Sequence, residues 1–231
     1  MIGGTACHLA MDEAGLDFRA TKDLDIVLTI EALNPTFFQA FWAFIKEGKY
    51  QNRHKSSGKK LFYRFHSPQN ETFPEMLELF SRKPDVIQPI EGIQLTPIPI
   101  DEEISSLSAI LLNDDYYDFI HKGKVEIEGI VVLKDSHIIP LKARAWLDLK
   151  NRRDLGERID EHNIRKHKND VIRLFQLLSI NAKILLPEQI KRDMKQFLSY
   201  LENDPINPKQ LGLKNITLRE IIEGMKHIYS A

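Results

Sequence analysis

Near the start of the chain stand two adjacent glycines, Gly3 and Gly4, and further on two aspartates, Asp23 and Asp25, inside the apolar run DLDIVLTI. Glycine has no Cβ, so backbone there can approach a ligand closely, and the N–H groups opening a following helix favour an anion. Side chains alternate along a strand, so Asp23 and Asp25 share one of its faces. Two such carboxylates repel one another unless a cation sits between them, and Mg²⁺ takes oxygen ligands together with substrate phosphates. A phosphate cradle beside a carboxylate pair is the layout for phosphoryl or nucleotidyl transfer.

The elements needed to position these residues can be read from periodicity. Ile2 and the glycines end a short strand, and Thr5–Ala14 follow as a helix closed by Gly15. In DLDIVLTI, Leu24, Ile26, Leu28 and Ile30 form one strand face, with both acids on the other. Asn34-Pro35 opens a helix striped by Phe38, Phe41, Trp42 and Ile45, an aromatic row read as core. KLFYRFHS and EMLELFSR form a strand pair around PQNETFP, and GIQLTPIPI is an edge strand. SSLSAILLNDDYYDFIHKG reads as helix and KVEIEGIVVL as one strand.

From Pro140 only helical patterns remain: Leu141–Lys150, then stripes led by Ile164, Ile190 and Leu218, the last behind a Thr217–Glu220 capping box. The expected fold is therefore α+β, a small mixed sheet with flanking helices over residues 1–137, followed by a C-terminal helical bundle over 138–231.

Composition narrows the function classes. A net charge of −1 supplies no global field toward nucleic acid or membrane. A single cysteine, Cys7, excludes a disulfide framework and a cysteine zinc cluster, and reads as packing. With no bilayer-length apolar stretch and no basic-then-apolar leader, a cytoplasmic protein without membrane attachment is expected.

Gly3-Gly4-Thr5-Ala6 followed by Thr21-Lys22-Asp23-Leu24-Asp25-Ile26 resembles the signature of the DNA polymerase beta-type nucleotidyltransferases, and within them the AbiEii-like abortive-infection toxins. That family has a third carboxylate on a neighbouring strand, which Leu77-Glu78-Leu79 matches, although Glu75 and Asp85 are alternatives. It also has a lysine opening a later helix, here Lys142, and a cluster matched by Lys166-His167-Lys168-Asn169-Asp170. The resemblance runs to about residue 180. Residues 5–22 make a longer connection than the family usually has, and relatives normally carry a helix and part of a strand before the glycines.

The resemblance implies the nucleotidyltransferase fold and transfer of a nucleoside monophosphate from a nucleoside triphosphate (NTP) to an RNA or protein hydroxyl. Gly3, Gly4, Thr5 and Lys142 would hold the triphosphate. Asp23, Asp25 and Glu78 would be catalytic and bind two Mg²⁺ or Mn²⁺ ions. The implied acceptor is a tRNA or a protein, and the implied partner a cognate antitoxin. The rival expectation is an inactive nucleotide-binding or protein-interaction module of the same fold.

Several residues also carry an ordinary reading. Lys142 could steady a triphosphate or snorkel from a helix end, and Lys166 could pair with Asp170 one turn away. His162 and His167 lack metal-ligand spacing. The basic stretch Lys49, Arg53, His54, Lys55, Lys59 and Lys60 is either a solvated loop or a surface that tracks phosphates.

Overall fold

The computed structural model describes residues 1–19, 21, 23–28, 35–50, 62–80, 110–111 and 113–231. The described part is mixed α+β, with seven α-helices, a three-stranded and a two-stranded sheet, and a helical C-terminal region. None of its helices is long and apolar enough to cross a membrane. The chain divides into two compact units, one of residues 1–8 and 19–101, the other of 9–18 and 102–231.

Helix α1 (Gly3–Glu13) begins in the first unit and its residues from Leu9 belong to the second; the first unit also holds strand β1 (Asp23–Val27), helix α2 (Pro35–Gly48) and strands β2 (Phe62–His66) and β3 (Met76–Phe80). α1 starts at Gly3, so the glycines belong to the helix's first turn rather than to a strand. Ile2, just before the helix, forms an isolated bridge with β1, its N–H donating to Asp25 O at 2.9 Å. The sheet order is β1-β3-β2, with β1 parallel and β2 antiparallel to β3.

Alternation decides what each sheet face carries. Leu24, Ile26, Leu28, Phe65, Leu77 and Leu79 pack with Trp42 and Ile45 of α2, and Phe38 and Phe41 lie against that cluster. The aromatic stripe is core, as its spacing predicts. The polar residues of the same strands are thereby committed to the opposite face.

The second unit contains helix α3 (Asp114–Lys122), strands β4 (Lys124–Ile127) and β5 (Ile130–Leu133), and helices α4 (Asp135–Asp154), α5 (Glu161–Leu174), α6 (Glu188–Asn203) and α7 (Leu218–Tyr229). α4 packs against α5 and α6 and is buried on most of its circumference, so it forms the centre of the bundle. The stripes of α5, α6 and α7 face inward as read, including Val171, Phe197, Ile222 and Met225. Thr217 and Glu220 form the expected reciprocal cap.

Three expectations need correction here. The long helix over SSLSAILLNDDYYDFIHKG is interrupted, because the Asn113 side chain accepts Tyr116 N–H and begins α3 there. The single strand KVEIEGIVVL is a hairpin, turned by Glu128 (φ 50°) and Gly129 (φ 79°). The helix expected from Leu141 starts at Asp135 and runs through Pro140, so the boundary expected at 137/138 falls inside α4. The edge strand expected at GIQLTPIPI lies outside the described residues.

Pro140 is tolerated for a specific reason. Proline has no N–H for the carbonyl four residues back, which is that of Ser136. The Tyr229 hydroxyl, on α7, donates to Ser136 O at 2.9 Å. Burial holds the pKa of this phenol well above its ordinary value, so it stays a donor. Tyr229→Phe is expected to cost about 1–3 kcal/mol in a urea melt, the penalty for a buried carbonyl left unpaired. Adding Pro140→Ala, which restores an N–H to that carbonyl, is expected to recover part of the loss.

Candidate active site

The polar face of the first unit's sheet is organised by register. In the parallel pair β1–β3, Asp25 lies opposite Glu78; in the antiparallel pair β3–β2, Glu78 lies opposite Arg64. Asp25, Glu78 and Arg64 therefore form one row across three strands, and Asp23 shares the face two residues before Asp25. Like charges opposite one another destabilise a sheet, and this row answers with a cation on its third strand. Arg64 Nε and Nη2 both donate to Glu78 Oε1, at 2.7 and 2.5 Å. Glu78 is 9% exposed.

Gly3 has a structural role that the sequence does not show. It is left-handed, at φ +70°, and a Cβ there would lie 1.7 Å from Asp25 Oδ2 and 2.6 Å from Asp25 Cγ. The missing side chain leaves room for the Asp25 carboxylate at the first turn of α1. A Cβ on Gly4 would lie 2.7 Å from Thr21 Cγ2. The Thr5 hydroxyl donates to Asp23 O at 2.7 Å and lies 3.3 Å from the Thr21 hydroxyl. The glycine turn and Thr5 thus clamp the start of α1 to the backbone and side chains that present the two aspartates. Cys7 is buried and donates to Gly3 O at 3.0 Å, a packing residue of the same turn.

Comparison with protein-family models, with curated proteins and with solved structures finds no match. What can be said of this site comes from its own geometry.

Among the described residues, no group of three or more His, Cys, Asp or Glu could hold a metal ion. Asp23 and Asp25 share one face of β1, and the space that a Cβ at Gly3 would fill is taken by the Asp25 carboxylate. Carboxylate oxygens are the donor type that a divalent ion would take together with phosphate oxygens and water.

Arg64 is the residue that sequence reading missed. Counting both strands outward from the turn between them would have set Arg64 across from Glu78, on the polar face, with opposite charge. Of the alternative third acids, Glu75 is exposed and precedes β3, and Asp85 lies outside the described residues. The basic stretch, apart from Lys49, also lies outside them.

Lys142 belongs to the second unit, on α4, and is buried. Its Nζ donates to Asp170 Oδ2 of α5 at 3.0 Å, and Arg173 Nη1 is 3.9 Å from Asp170 Oδ1. Asp170, for which a pair with Lys166 one turn away is expected, has Lys142 from a different helix as a partner, and Arg173 on its own helix beside its other oxygen. A Lys142 that steadied a triphosphate would have to share this bond. Lys168, from the same cluster, donates to Asp204 at 2.6 Å.

Proposed function

We propose that the chain is a metal-dependent nucleotidyltransferase of the DNA polymerase beta type, AbiEii-like, acting on a nucleoside triphosphate. The observation that carries this reading is the Asp25 carboxylate, seated against Gly3 at the start of α1 with Asp23 and Glu78 on the same sheet face. Asp23 and Asp25 would hold a divalent cation, Mg²⁺ or Mn²⁺, which when bound would neutralise charge on the triphosphate. The N–H groups of the first turn of α1 would receive phosphate oxygens. Glu78, held by Arg64, would take the proton from the acceptor hydroxyl. The hydroxyl oxygen attacks the α-phosphorus, the bond to the β-phosphate bridging oxygen breaks, and pyrophosphate leaves.

The acceptor under this reading is a hydroxyl of an RNA, such as a tRNA end, or of a protein. In a toxin of this type a cognate antitoxin would be the partner. The test is incubation with α-labelled triphosphates, Mg²⁺ and total cellular RNA or protein. Label on a macromolecule with matching pyrophosphate is expected.

A second reading, a nucleotide-binding or protein-interaction module without transfer, is favoured by one observation: the Arg64 guanidinium on Glu78. It predicts nucleotide binding with neither label transfer nor pyrophosphate.

A further inference from the structure

We infer that Phe44, Tyr50 and Phe73 form a stacking platform for single-stranded RNA on the first unit. The strand's role as acceptor rests on the nucleotidyltransferase reading, which the platform extends by choosing RNA over protein.

The three rings come from three segments: Phe44 from α2, Tyr50 from just beyond its end, and Phe73 from the connection between β2 and β3. Ring centroids are 4.8 Å apart for Phe44–Phe73, 6.2 Å for Phe44–Tyr50 and 6.3 Å for Tyr50–Phe73, the spacing of one aromatic cluster. The cluster is pinned in place. The Tyr50 hydroxyl donates to Pro74 O at 2.6 Å, and Gln69 N–H donates to Gly48 O at 3.0 Å. A Cβ on Gly48 would lie 2.6 Å from Tyr50 Cε2 and 2.7 Å from Phe73 Cδ1, so glycine lets both rings close on the helix end. The left-handed position after the helix, which glycine usually takes, falls to Lys49 at φ 48°. Unlike the core stripe of Trp42 and Ile45, these rings are not sealed: Phe44 is 37% exposed, and Tyr50 and Phe73 are half-buried.

Charge identifies the occupant. From Lys46 to Lys60 the sequence carries six lysines and arginines against one acid, Glu47. Lys46 and Lys49 are exposed at the end of α2. Arg53 follows Tyr50 by three residues, so covalent geometry alone keeps their Cα atoms within about 11 Å. Protein–protein interfaces are depleted of lysine, whereas grooves that track a nucleic-acid backbone combine cations with aromatic rings. A single strand offers phosphates to the cations and open base faces to the rings, which a duplex keeps stacked inside.

The test is fluorescence anisotropy of a fluorescein-labelled, non-self-complementary oligoribonucleotide of about twelve nucleotides, titrated with the full chain. The wild type is expected to bind, more weakly as salt rises. Phe44→Ala should weaken binding at least about fivefold, the low end for losing one base–aromatic stack, and Phe44→Trp should bind like the wild type. Thermal melts of both variants check that the fold is kept. Should the alanine variant not fold, crosslinking of the wild type to the same oligonucleotide carrying 4-thiouridine is expected to map to peptides containing Phe44, Tyr50 or Phe73. No binding by the wild type, equal binding by a folded Phe44→Ala, or crosslinks confined to other peptides would overturn the platform. Label transferred to a protein in that event would leave the nucleotidyltransferase reading standing with a protein as acceptor. Conversely, RNA binding that depends on Phe44, with no label transferred to any macromolecule, would overturn the transferase reading and support the platform.

Discussion

Replacing Lys142 with methionine is expected to destabilise the protein by about 3–5 kcal/mol, the range for breaking a buried ion pair by removing one partner. The Lys142 side chain is 7% exposed and that of Asp170 is fully buried, with 3.0 Å between Nζ and Oδ2. Methionine preserves most of the aliphatic stem, so the loss comes from taking the Lys142 ammonium away from the buried Asp170 charge. Arg173 is 3.9 Å from the other carboxylate oxygen and compensates only in part. In a chain of this size such a loss lowers the melting temperature by roughly 6–20 °C. Lys142→Met/Asp170→Leu should recover much of it, because a pair replaced by apolar residues leaves no orphaned charge. The double-mutant cycle separates the two roles read for Lys142 in the sequence. A Lys142→Met protein that melts like the wild type but no longer responds to nucleotide would make the lysine a triphosphate ligand and the Asp170 bond incidental.

What was legible in the sequence was local. The β2–β3 pair followed from alternation on both sides of a polar turn. The Thr217–Glu220 cap and the helical stripes followed from spacings within two turns. Asp23, Asp25 and Glu78 could be placed on strands because each is flanked by apolar residues that face the core. The misses arose where a distant residue or an unusual turn overrode a local rule. Pro140 looked like a helix boundary because the hydroxyl that compensates it belongs to Tyr229, near the other end of the chain. The β4–β5 hairpin was hidden because Glu128-Gly129 lacks the usual Asn or Asp before glycine and the apolar alternation continues across it. Arg64 was overlooked because its importance depends on register, and the Lys142 bond to Asp170 because it joins two helices 28 residues apart in the chain. At Gly3 the residue was singled out for the right property, the absence of a Cβ, but the group that uses the space is Asp25.

That contact yields the second large effect, in ligand-dependent stability. A triphosphate without a metal ion is repelled by the carboxylates it must approach, and Mg²⁺ alone keeps much of its water, so neither is expected to shift the melt appreciably. Together, at a hundredfold excess over the dissociation constant, they should stabilise the native state by about 2.7 kcal/mol, since they bind it and not the unfolded chain. The melting temperature then rises by roughly 5–10 °C. Asp25→Asn should abolish that rise and label transfer together, while the ligand-free protein keeps its stability or gains slightly from the relief of repulsion with Glu78. Gly3→Ala should abolish both as well, by driving a methyl group into the space of Asp25 Oδ2. Its control is Gly15→Ala. Gly15 has nearly the same left-handed backbone, φ +68°, but nothing lies within 4 Å of where its Cβ would stand. Both alanines carry the left-handed penalty of roughly 1–2 kcal/mol, and only Gly3→Ala displaces the carboxylate. Equal ligand responses in the two variants would show that Gly3 is needed for its backbone angle alone. A wild-type protein whose melt is unmoved by any of the four nucleotides with Mg²⁺ or Mn²⁺ would remove the case for a nucleotide site on this sheet face.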